Sequence, residues 1–109
     1  MAITKKEIHK SLSKIKQLDK AFSICILDTD LTERLALKME EILEDLINRI
    51  ISERNLNKYT INDLEKSLKS LKSHIKYGEY DEKSIYFDEI YKLTAKIRAS
   101  ITLIEVLVL

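Results

Sequence analysis

His9, His74 and Cys25 are the side chains of this sequence best suited to metal or nucleophilic chemistry, and the acid pairs Glu40-Glu41 and Glu44-Asp45 are those suited to proton transfer. Helical metal centres place ligands as Glu-x-x-His or His-x-x-x-His, because residues three or four apart share a helix face. Neither histidine has such a partner, so no metal site is expected and a partly solvated ring beside an apolar seam is the plainer reading. Cys25 sits in Ala21-Phe22-Ser23-Ile24-Cys25-Ile26-Leu27, an apolar setting at the end of an expected helix. Burial and the negative end of the helix dipole both disfavour the thiolate, which predicts a buried, inert thiol. Paired carboxylates can exchange protons in a cleft. Here they fall on the flank and outer side of a helix pattern and read as a solvated face. No cofactor and no catalytic residue are expected, and the chain reads as a non-enzyme.

Three patterns stand out as surfaces for contact. Ala95, Ala99, Leu103 and Val106 form an apolar line, and Leu107 and Leu109 extend it. The line lies opposite the stripe that should face the core, where a surface helix is ordinarily polar. Small residues followed by large ones let another helix approach, so this face is expected to form a homodimer or dock a protein partner. Its alternative is coverage within one chain, with this helix the most central. Second, Lys66, Lys69, Lys72 and Lys76 fall within about a third of a helix circumference at 100° per residue. They can contact phosphates. Glu65 interrupts the arc and no Arg takes part, so a solvated lysine face is favoured and nucleic acid is the second reading. Third, Tyr77, Tyr80, Tyr86, Phe87 and Tyr91 crowd into one segment. Tyr77, Tyr80, Phe87 and Tyr91 are candidate aromatic anchors for a partner or for unpaired bases. Closure of the bundle end explains Tyr77 and Tyr80 equally well.

Composition limits what can carry these patterns. The chain has 109 residues, one Gly, no Pro and 16 each of Ile and Leu. Sandwiches and barrels need turn residues, and phosphate loops need glycines. Both are excluded, and long helices joined by short polar turns remain. Nineteen basic against 18 acidic side chains leave +1, so the whole chain has no charge bias toward nucleic acid or an anionic membrane. One cysteine forms no internal disulfide. The opening residues lack the apolar stretch of a signal peptide, and no run is long and apolar enough to span a bilayer. A reducing, cytoplasmic location is the default expectation.

Start and stop signals predict four helices at about 5–27, 31–54, 61–77 and 82–108, in one domain covering 1–109. Thr4 and Glu7 have capping-box spacing, followed by Ile8, Leu12, Ile15, Leu18, Phe22 and Cys25 at helical period. Asp30 caps the second helix, with Glu33 three residues on. Leu31, Leu35, Met39, Ile42, Leu43, Leu46, Ile47 and Ile50 form an arc wide enough for several neighbours. Thr60 caps the third at Asp63, and Tyr59 and Leu64 form a hydrophobic staple. The third seam of Ile61, Leu64, Leu68, Leu71 and Ile75 is narrow, so this helix is expected to be the most peripheral, with Leu68 a buried site. Gly78 closes it. Tyr86, Ile90, Leu93, Ile97, Ile101, Ile104 and Val108 line the fourth.

These elements predict an all-α, antiparallel up-down four-helix bundle. Segments 1–27 and 58–78 are net basic, and 28–57 and 79–109 net acidic. In a square bundle each basic helix would then sit between two acidic ones, an arrangement worth little per pair but able to disfavour alternatives. The function this implies is a small non-enzymatic interaction or adaptor protein of regulatory, inhibitor or immunity type. It self-associates and acts on another protein. The alternative is a nucleic-acid-binding accessory subunit that uses the lysine face and the tyrosine-rich turn.

Overall fold

The computed structural model describes residues 2–25, 29–73 and 83–109, with side chains described from 30 in the second segment and from 88 in the third. Among them are four helices and no strand: α1 (Lys5–Ile24), α2 (Thr29–Glu53), α3 (Lys58–Lys72) and α4 (Lys83–Leu107). They form an all-α four-helix bundle.

The capping box on α1 is complete. The Thr4 hydroxyl accepts from the Glu7 N–H at 3.1 Å, and the Glu7 carboxylate accepts from the Thr4 N–H at 3.2 Å. Ile3 precedes the cap and is buried together with Ile8, the two positions a hydrophobic staple uses. The staple expected on α3 is absent, because Tyr59 is 80% exposed. The reason is an earlier start. Asn57 Oδ1 accepts from the Thr60 N–H at 2.8 Å, so Asn57 is the N-cap and Thr60 lies inside the helix, buried. Asn caps better than Thr, and the upstream cap shifts the whole first turn. Likewise α2 begins at Thr29, which makes Asp30 a first-turn acid rather than a cap. There its charge favours the helix dipole. The expected closure at Gly78 lies outside the described residues. Within them, α3 ends at Lys72 with Ser73 as its C-cap, and Lys96 Nζ from α4 donates to Ser70 O and to Ser73 Oγ, each at 3.3 Å. Ser70 O already accepts from the Ser73 N–H at 3.2 Å and from the Ser73 hydroxyl at 2.7 Å, so Lys96 adds a cation at the negative end of the helix dipole and a link from α4 to α3.

The central helix is α2. It packs against α1, α3 and α4, as its wide arc anticipated. Its buried positions are Thr32, Ala36, Met39, Leu43, Leu46, Ile47 and Ile50, while Leu31 at its start is exposed. The α4 stripe of Ile90, Leu93, Ile97, Ile101, Ile104 and Val108 is buried as expected. On α3 the fully buried side chains are Leu64 and Leu71; Ile61 and Leu68 of the expected seam are only partly covered, and Ile75 lies outside the described residues.

Cross-helix partners fix the helix senses. Along the α1–α4 seam, Phe22 meets Tyr91 edge-on at 5.8 Å, Asp19 meets Arg98, and Lys16 meets Glu105. The α1 numbers fall by three as the α4 numbers rise by seven, so these helices run in opposite senses. Arg49 of α2 reaches Glu7 near the start of α1, and Arg54 donates to Ile3 O. Ser67 pairs with Ser100, and Ser70 with Lys96, again in opposite senses. These are the senses an up-down bundle requires. The ion pairs do not follow the helix net charges. Lys16–Glu105 joins a base of α1 to an acid of α4, whereas Asp19–Arg98 and Glu7–Arg49 have the reverse polarity. Local geometry, not the sign of a whole helix, selects the partners.

Glu7 and Glu53 give the bundle a pH dependence. The Thr4 N–H and hydroxyl, then Arg49, hold the Glu7 carboxyl below its ordinary range, and the Arg49 guanidinium does the same for Glu53. Arg49 Nε lies 2.9 Å from Glu53. A carboxyl whose folded pKa is depressed adds stability above its unfolded pKa, and that contribution is lost as pH falls through the folded value. The melting temperature is therefore expected to fall on acidification below about pH 4. Glu7→Gln should flatten that slope. An unchanged slope would remove the capping carboxylate from the account.

Candidate functional site

The site is built on α4, held by its neighbours on both flanks. On one flank the Arg98 guanidinium grips Asp19 of α1 through two hydrogen bonds, of 3.0 and 2.8 Å, which raise the Arg98 pKa above its ordinary value. On the other, the buried Ser100 hydroxyl bonds Ser67 of α3, and Lys96 caps α3. The core stripe faces α2. What remains is an outer ridge.

Ala95, Ala99 and Val106 lie on that ridge within about 40° of one another, at 100° per residue. All three are exposed, Val106 by 73%, and Leu107 beside them by 37%. Leu103 and Leu109 are half-buried and pack against the core from within the chain. The line read from the sequence therefore divides. Its small residues and Val106 face outward, and its two other leucines help close the bundle. Coverage within one chain accounts for those two and not for Val106. The ridge is not wholly apolar, since Asp88, Lys92 and Thr102 also lie exposed along this helix.

Lys66, Lys69 and Lys72 are all exposed on α3, and none makes an ion pair among the described residues. Lys76, Tyr77 and Tyr80 lie outside the described residues, and the side chain of Phe87 lies outside them as well. Tyr91 is placed differently from a free anchor. Its ring stands at 79° to Phe22 and covers that buried side chain, leaving Tyr91 39% exposed.

A groove between α3 and α4 was not anticipated. Asp63, Lys66, Ser67 and Ser70 line it from α3, and Lys96, Ala99, Ser100 and Leu103 from α4. The sequence did carry its signal. In the Lys-Ser repeat of 66–73 the serines fall a third of a turn from the lysines, on the side where α4 packs. Small hydroxyls there let the two backbones approach and hydrogen-bond across the gap.

The groups suited to metal or nucleophilic chemistry are dispersed. His9 is exposed on α1, and His74 lies outside the described residues. Cys25 is half-buried at the C-cap of α1 rather than buried, since a cap residue stands at the rim of the packed face. Glu41 and Asp45 are exposed as expected. Glu40 and Glu44 are half-buried, and one Glu44 oxygen is buried without a hydrogen-bond partner among the described residues. No group of three or more His, Cys, Asp or Glu among the described residues is arranged to hold a metal ion. No helix among them is long and apolar enough to cross a membrane.

What this arrangement offers is contact: an outward strip of small and aliphatic side chains, a groove beside it, and exposed lysines on α3 that form no ion pair among the described residues. No protein-family model, no curated protein and no solved structure matches this chain.

Proposed function

We propose that this chain is a non-enzymatic interaction protein of the cytosol, which self-associates and acts by binding another protein. One observation carries the reading: Val106 stands 73% exposed on the same ridge as exposed Ala95 and Ala99. An aliphatic side chain so exposed costs the solvated monomer and gains on contact, and the two alanines allow a facing helix to approach closely. A two-fold pair of such ridges is the simplest closed assembly. Because Val106 is so exposed, Val106→Asp should leave the fold intact. It is expected to convert the chain to monomers by light scattering, with the helical circular dichroism unchanged. A mass identical to that of the parent chain would sink the self-association reading.

A second reading has its own observation. Exposed Lys66, Lys69 and Lys72 have no acidic partner among the described residues, so their charge is available to phosphates. On that reading the chain is a nucleic-acid-binding accessory subunit.

A further inference from the structure

We infer that the outward face of α1 binds the phosphate backbone of duplex nucleic acid. The site is separate from the ridge on α4 and from the lysines of α3, and it goes beyond the protein-binding reading. α1 carries six lysines and two acids. At 100° per residue, Lys6, His9, Lys10, Ser13, Gln17 and Lys20 fall within about 100° of arc, on the side away from buried Ile8, Ile15 and Phe22. All six are exposed. Lys5, Lys14 and Lys16 are exposed as well and widen the arc to about half the circumference. No acid lies within it. Glu7 and Asp19 stand beside its edges, each held by an arginine of a neighbouring helix, Arg49 of α2 and Arg98 of α4. Among the described residues Lys16 pairs with Glu105, and the other five lysines make no ion pair. A chain of net charge +1 thus presents one helix face of a single sign. Lys10, Ser13, Lys14 and Gln17 surround a surface depression on this face. Two ammonium groups, a hydroxyl and an amide are all donors to phosphate oxygens.

The composition of the face chooses among occupants. Protein interfaces are depleted of lysine and gain from an apolar centre. A helix lying on a bilayer sinks apolar side chains into it. Within the 100° crest the one apolar side chain is Ile24, at the last residue of the helix. A phosphate backbone needs no apolar contact, because its affinity comes from neutralised charge and released counterions. Single strands are held by bases stacked on aromatic rings, and this face has none, so the duplex is favoured. From Lys6 to Lys20 the track runs about 21 Å along the helix. A duplex presents about 12 phosphates over that length. Glu41 and Asp45 of α2 border the α1–α2 groove together with Lys10 and Lys14. They limit approach from that flank, so the open track is the crest. No arginine stands on the face to read base edges, so the contact is to the backbone and independent of sequence.

The test is fluorescence anisotropy of the full chain with a labelled duplex DNA of mixed sequence, titrated at several salt concentrations. Four phosphate contacts give log K against log salt a slope of about −3.6, a loss of about 150-fold between about 50 and about 200 mM. Replacing Lys6, Lys10, Lys14 and Lys20 together by Gln should weaken binding at the lower salt by about fiftyfold and flatten the slope. Circular dichroism should be unchanged, since all four side chains are exposed and without an ion pair among the described residues. Lys10→Gln alone should reduce the slope by about 1, which keeps the test valid if the fourfold variant folds poorly. Replacing Lys66, Lys69 and Lys72 by Gln should leave duplex affinity within about twofold, because those lysines belong to another helix. No duplex binding at low salt overturns the inference, and so does a fourfold variant that folds and binds like the parent. Loss of binding only in the α3 variant overturns it too and returns the phosphates to α3. Tighter binding of the single strand than of the duplex counts against it in the same way. So does binding to phosphatidylserine–phosphatidylcholine vesicles with none to DNA, which gives the face to a lipid surface. Val106→Asp leaves the α1 face untouched, so self-association and duplex binding can fail independently.

Discussion

Leu64→Ala is expected to lower the stability of the bundle by about 2–5 kcal/mol, and Leu68→Ala by distinctly less. The two leucines are four residues apart on α3 and look equivalent in the sequence. Leu64 is fully buried, whereas Leu68 is only partly covered. Truncating a buried leucine removes its transfer free energy and leaves a cavity that the neighbours fill incompletely. A side chain partly open to water loses less on truncation, and solvent enters the space. A single domain is stable by about 5–15 kcal/mol, so the larger loss is a substantial fraction of the total. Near the melting point about 1 kcal/mol moves the transition by several degrees in a domain of this size. Urea midpoints for both variants make the comparison at constant temperature. Equal losses would mean that α3 is rotated about its axis relative to the packing described. Leu71→Ala belongs with Leu64→Ala and checks the same rotation about two turns further on.

That contrast shows how far the sequence could be read. Spacing alone identified the α4 stripe from Ile90 to Val108 and the Thr4–Glu7 capping box, because each is decided within one helix by residues three or four apart. The depth of each position was harder to read. Leu31, Leu35 and Ile42 share the apolar pattern of α2, yet Leu31 is exposed and the other two partly so, while Ala36 is fully buried. A wheel gives the direction of a side chain, and the neighbouring helices decide where coverage ends. The cap of α3 failed for a local reason. Two candidate caps, Asn57 and Thr60, stand three residues apart, and the stronger one took the helix start. The groove escaped notice because it belongs to no single helix. Its lining comes from residues more than twenty apart, and only the α3–α4 register brings Ser67 and Ser70 of α3 beside Lys96 and Ser100 of α4. The outward apolar line was legible as a departure from amphipathicity, although Leu103 and Leu109 turned out to serve the core as well.

Phe22→Ala is expected to be the most damaging truncation on α1, at about 3–5 kcal/mol. Its side chain is buried, and its ring meets the Tyr91 ring edge-on with centroids 5.8 Å apart. The edge of one ring is electropositive and the face of the other electronegative, so this geometry adds about 0.5–1.5 kcal/mol to simple burial. A double-mutant cycle isolates that part. Tyr91→Ala alone should cost less than Phe22→Ala, since Tyr91 is 39% exposed, and the two losses together should fall short of their sum. Strict additivity would remove the ring pair from the account. The location gives the result a functional reading. Phe22–Tyr91, Asp19–Arg98 and Lys16–Glu105 form the seam that ties α1 to one flank of α4, and α4 carries the outward ridge. If the ridge binds a partner, loosening this seam should weaken binding through the orientation of α4, although Phe22 itself is buried behind it. Arg98→Lys tests that step with little change in the core. A lysine keeps the charge but cannot reproduce the two-point grip on Asp19. Self-association weakened in Arg98→Lys at nearly unchanged stability would show that the seam positions the ridge. Unchanged association would confine its role to holding the bundle together.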